Sequence, residues 1–184
     1  MNKVNTSNHG GRPGLPVFVG RTGPSDLLTS SFIYSYMTAE QMQARITALT
    51  GYEHPDFITF GDILGRNDPA SGTRTNTEPS VLSILMLQKI ATDIATMVVE
   101  REIFLGDHDR MVFAGIDLER APEGEVLSNF LSELYQRWLN TPLSRLSLRL
   151  YLDRFNSTLA TSGPTAAYQS VLALLLEHGG LFYV

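Results

Sequence analysis

"PEGEVLSNFLSELYQRWLNTPLSRLSLRLYLDRFNSTLATSGPTAAYQSVLALLLEHGG", residues 122–180, decides the fold class. Its apolar residues recur at helical spacing, and Leu127, Phe130, Leu131, Leu134 and Trp138 fall on one side of the first segment. Thr141-Pro142 opens a second segment, in which Leu143, Leu146 and Leu150 repeat at the same spacing. Gly163-Pro164 starts a third that ends at Gly179. Proline suits a first helical position, where its missing N–H would have no intrahelical partner anyway. Two short connections between three amphipathic helices imply antiparallel neighbours. The expectation is an all-α protein.

Upstream, "YMTAEQMQARITALTG" (36–51) reads as a capped helix. Thr38 is its N-cap, Gln41 completes a capping box, Met42, Ile46 and Leu49 share a face, and Gly51 ends it. "GYEHPDF" follows as a loop. Pro79 is expected in the first turn of a longer helix whose apolar face is Leu82, Leu85, Met86, Ile90, Ile94, Met97 and Val98, running to about residue 103. "LGDHDRMVFAGIDLERAPEG" is a second loop, with a short extended piece at Met111-Val112-Phe113. The whole is a compact bundle of about five helices over residues 35–184, preceded by an extended arm. Residues 1–34 are rich in Gly, Pro, Asn, Ser and Thr without periodicity, which marks irregular chain.

A chain of 184 residues with 43% hydrophobic and 18% charged content suits one domain with an arm. A net charge of -5, with no Lys/Arg-rich run, argues against nucleic acid as a partner. Cysteine is absent, which excludes disulfides, thiolate nucleophiles, Cys-ligated iron–sulfur clusters and Cys-type zinc sites. The N-terminal stretch has no apolar core, so no signal peptide is expected and a cytoplasmic location is the default. "VLALLL" is the longest dense apolar run, short of the ~20 residues of a membrane span, so no span is expected.

Few residues suggest chemistry. Asp107, His108 and Asp109 form the best local metal candidate, with oxygen ligands that suit Ca²⁺ or Mg²⁺. In an extended segment, however, His108 would point away from both aspartates, and hydrated loop charges are the leading reading. His54 and His178 could join His108 only through the fold, and His178 reads first as a positive charge at a helix C-terminus. Ser71-Gly72 and Ser162-Gly163 lack the strand–turn–helix setting of a hydrolase nucleophile, and neither a Walker loop nor a dinucleotide fingerprint is present. Tyr135, Trp138, Tyr151 and Tyr168 lie at core spacings, with a pigment or haem pocket as the lesser reading. No cofactor is expected, and no catalytic set is recognisable.

One more stretch, "LGRNDPASGTRTNTEPSVLSILMLQ" (64–88), holds Arg66 and Arg74 on a polar loop before a helix. The leading reading is that the guanidinium of Arg74 pins this loop to the helical body, and the lesser is anion binding by Arg66 and Arg74 near a helix start. Leu64-Gly65-Arg66 and the run Arg74-Thr75-Asn76-Thr77-Glu78-Pro79-Ser80 resemble a C-terminal domain of unknown function found in large secreted planctomycete proteins, many with cytochrome c-like modules. "YSYMTAEQMQARITALTG", "LYQRWLNTPLSRLSLRLYLDRF" and "AAYQSVLALLLEHGGLFYV" are similar to further segments of that family, in order, over residues 33–184. The family's cysteine-containing segment is replaced here by "NDPASGT". The resemblance implies a helical domain but carries no established activity with it.

The leading expectation is a non-catalytic structural or accessory subunit that binds neighbouring chains, copies of itself among them, at both ends. Val17, Phe18 and Val19 of the arm and the apolar end Leu181, Phe182, Tyr183 and Val184 are its expected contacts, although the tail could instead fold back on the bundle. The alternative is an enzyme-associated or redox-associated binding domain working beside a cytochrome or hydrolase, as the resemblance implies.

Overall fold

A computed structural model describes residues 36–65 and 79–182. The protein is all-α. Among the described residues five helices are long: α1 (Ala39–Thr50), α4 (Val81–Ile103), α5 (Val126–Leu139), α6 (Arg145–Ser162) and α7 (Pro164–Leu176). Two single-turn helices, α2 (Asp56–Thr59) and α3 (Gly61–Leu64), occupy what the sequence suggests is a loop.

Local chemistry explains the boundaries. Thr38 Oγ1 accepts from the Gln41 N–H at 3.3 Å while Gln41 Oε1 accepts from the Thr38 N–H at 2.9 Å. This capping box satisfies two backbone donors at once. Gly51 closes α1 at φ 70°, donating its N–H to Thr47 O. Pro79, expected within the first turn of α4, stands before the cap instead, because Ser80 is the N-cap and the helix begins at Val81. Ser83 answers Ser80 reciprocally, with bonds of 3.1 and 2.7 Å.

α7 lies between α4 and α6 and is buried on most of its circumference, through Ala167, Tyr168, Val171, Leu172, Ala173, Leu175 and Leu176. The Tyr168 ring meets Phe155 of α6 at 5.0 Å and Phe113 at 5.7 Å, both edge-on, and Phe113 stacks on Phe130 of α5 at 5.2 Å. These edge and offset contacts add to area burial.

Two helical faces differ from the sequence reading. α4 turns Leu87, Ile90, Ala91, Ile94, Ala95, Val98 and Val99 inward, while Leu82, Leu85 and Met97 are exposed. α4 is apolar on more than one stripe, and the small side chains at 91 and 95 offer the flatter surface for close approach. α6 buries Tyr151 and Phe155, leaving Leu146 and Leu150 exposed at 73% and 58%. α4, at 23 residues, has the length and apolar composition of a membrane span. Its inward stripe packs in the bundle, and Lys89 and Asp93 on its surface are held in ion pairs.

The loop after α4 is not strand-like at Met111–Phe113. Its backbone is organised by Glu102, which is 2% exposed and whose carboxylate accepts from the N–H groups of Met111, Val112 and Phe113 at 2.9, 2.9 and 2.7 Å. The successive amides form a concave anion cradle that the protein fills itself. The two ends of the described body meet where the Met37 N–H donates to Phe182 O at 2.8 Å.

Candidate functional site

A cavity of about 430 Å³ forms an open trough on the outward face of α7. Ala166, Gln169, Ser170, Ala173 and Leu174 form its floor, Thr92 and Thr96 of α4 one wall, and Arg154 of α6 the other. Small floor residues spaced by about one turn explain why a groove remains where three helices meet. The hydroxyl hydrogens in it are committed: Thr92 donates to Gln88 O, Thr96 to Thr92 O and Ser170 to Ala167 O, each at 2.9 Å. Their free lone pairs therefore present acceptors to whatever enters.

Glu177, the C-cap of α7, closes one end of the trough. Burial pushes its carboxyl pKa up, opposed by a hydrogen bond from Gln88 and by the charge of Arg154. Arg154 and Glu177 sense each other, yet Arg154 forms no ion pair among the described residues. Glu177 also lines a second, more apolar cavity of about 290 Å³, with Tyr36, Pro79, Ile84, Leu87, Gln88 and Phe182.

A tighter titratable cluster joins α2 to α4. His54, Asp56 and Asp93 present ligand atoms within 4.8 Å of one another. The donor set does not fit a metal ion as arranged. His54 Nδ1 accepts the Asp56 N–H at 3.2 Å, so the neutral ring carries its proton on Nε2, which faces Asp93 Oδ2 at 3.5 Å. A metal on Nε2 would need that proton removed while Nδ1 stays an acceptor, which leaves an imidazolate. Lys89 Nζ already stands between the carboxylates, 2.8 Å from both Asp56 and Asp93. Those hydrogen bonds hold the Lys89 pKa well above its ordinary value. The cluster is an ion-pair staple between two helices.

Asp107, His108 and Asp109 form a 3₁₀ turn, and all three are exposed. Asp107 accepts the Gly115 N–H, and His108 Nε2 lies 3.3 Å from Asp109. They do not join the His54 group in a common cluster. Arg66 and Arg74 lie outside the described residues, as do Val17, Phe18, Val19, Tyr183 and Val184. Leu181 and Phe182 are buried in the body of their own chain, at 0% and 5% exposure, so for these two the tail folds back. His178 also departs from its expected role. Its Nδ1 accepts the Gly180 N–H at 3.1 Å, its Nε2 sits 3.0 Å from Tyr135 Oη, and burial lowers its pKa, which favours the neutral ring over a positive helix cap.

Sequence reasoning did not single out Arg154, Glu177 or Glu102. The available signal was a carboxylate near the end of each of two apolar helices, together with threonines at 92 and 96 on one of them. Comparison with protein-family models, with curated proteins and with solved structures finds no match. The functional reading therefore rests on the chain's own geometry.

Proposed function

We propose that this chain is a non-catalytic interaction module, a structural or accessory subunit that binds neighbouring protein chains in a larger assembly. The observation that carries the reading is the first turn and a half of α4. Val81, Leu82, Ile84 and Leu85 stand 77%, 52%, 47% and 55% exposed in succession. A run of large apolar side chains that the fold leaves in water is the surface expected where a second chain docks. The described titratable groups fit the same reading: the most compact set, His54, Asp56 and Asp93 with Lys89, is spent on an ion-pair staple. The arm, with Val17, Phe18 and Val19, and the last residues Tyr183 and Val184 are assigned contacts of the same kind.

The test is the mass of the native particle, with identification of its chains. A discrete complex well above the 20.4 kDa of one chain is expected, reduced to monomer by Leu82→Glu with Leu85→Glu at unchanged helicity. A wild-type monomer without companions, or an assembly indifferent to both substitutions, overturns the proposal.

A further inference from the structure

We infer that the α4–α7 groove is a peptide-docking channel for an extended partner segment that places an apolar residue, a basic residue and an acidic residue in that order. The inference deepens the interaction reading and rests on it for the kind of partner. Ile84, Gln88, Thr92 and Thr96 repeat every fourth residue and form one ridge of α4. The apolar cavity touches the first two and the polar trough the last two, and Glu177 lines both cavities. The channel thus follows α4 for about 18 Å, at a rise of ~1.5 Å per residue. An extended segment of about five or six residues spans that length at ~3.3 Å each.

The lining specifies the segment's chemistry along its path. Tyr36, Ile84, Leu87 and Phe182 make an apolar end that takes a Leu or Phe side chain. Glu177 follows, a partly buried carboxylate that a lysine ammonium would pair with. Beyond it, the acceptor lone pairs of Thr92, Thr96 and Ser170 suit backbone N–H donors of an extended chain. Arg154, unpaired with any described carboxylate, receives the acidic side chain. Opposite charges that share a cavity without meeting give the channel a polarity, and polarity gives register.

The test uses the full-length chain and a fluorescein-labelled hexapeptide, Leu-Phe-Lys-Ser-Glu-Ser, followed by fluorescence anisotropy. Saturable binding is expected, with affinity about tenfold lower for the charge-swapped Leu-Phe-Glu-Ser-Lys-Ser and about tenfold lower for the first peptide with Glu177→Gln or Arg154→Gln. The double substitution Leu82→Glu with Leu85→Glu should leave peptide affinity unchanged, since neither residue lines the channel. A wild-type monomer, or an assembly indifferent to those two substitutions, that still binds the peptide would therefore fault only the assembly surface. No saturable binding, or equal affinity for both peptides, overturns the channel, and so does an affinity indifferent to both groove substitutions in proteins of wild-type thermal stability.

Discussion

Glu102 shows how much one side chain organises. Three consecutive backbone donors end on its buried carboxylate, and these bonds shape the start of the loop that presents Phe113 to Tyr168. Removing an acceptor from a buried site costs the desolvation of every donor left behind, so Glu102→Ala is expected to cost about 3–5 kcal/mol. Glu102→Gln keeps one acceptor oxygen but turns an N–H₂ toward a backbone N–H, and should cost less than alanine yet remain clearly destabilising. Urea unfolding checks both, through a lower midpoint at unchanged slope.

His178 carries the pH dependence at this scale. Burial lowers its folded-state pKa below the ordinary value of 6.5, and its Nδ1 must stay unprotonated to accept from Gly180. The unfolded chain therefore binds the proton first as pH falls. Its contribution to stability is fully present above the unfolded pKa and is lost as pH drops through 6.5 and then through the folded value. Glu177 beside it runs the other way, since burial raises its pKa and protonation at lower pH relieves the cost of the buried charge. Unfolding free energy measured from pH 8 to 5.5 should fall, and the fall should be shallower in His178→Asn, whose Oδ1 can still accept the Gly180 N–H.

Elements join through their ends as much as their faces. Gly51 closes α1 in the left-handed region, at φ 70°, and an added Cβ would stand 2.5 Å from Met111 Sδ. The sulfur lies near the end of a flexible, 47% exposed side chain and can shift, so the clash is cheap. The backbone term decides the outcome: Gly51→Ala is expected to cost about 1 kcal/mol. A fall of about 2–4 °C in the melting midpoint checks this. Helix ends of this kind were legible in the sequence, since Thr38, Gln41, Gly51, Gly163 and Pro164 act on neighbours three or four residues away. The single turns α2 and α3 were not, because four residues carry too little periodicity to separate helix from loop.

Across the whole molecule, the peptide measurement belongs to a surface that no single helix contains. The channel needs α4, α6 and α7 together, and its charges come from Arg154 and Glu177, 23 positions apart and on different elements. Sequence alone determined the all-α class, the five long helices, the caps of α1 and the Gly163-Pro164 start of α7, because period and caps are local properties of the chain; the Ser80 and Ser144 caps were missed. It also put Tyr135, Trp138, Tyr151 and Tyr168 in the core, where all four are buried. Only the tertiary structure decided which stripe of α4 turned inward, since α4 carries apolar residues on more than one stripe and the choice belongs to the helix that packs on them. It alone brought His54 to Asp93 and Glu102 to three amides, since such pairings depend on where separate segments cross.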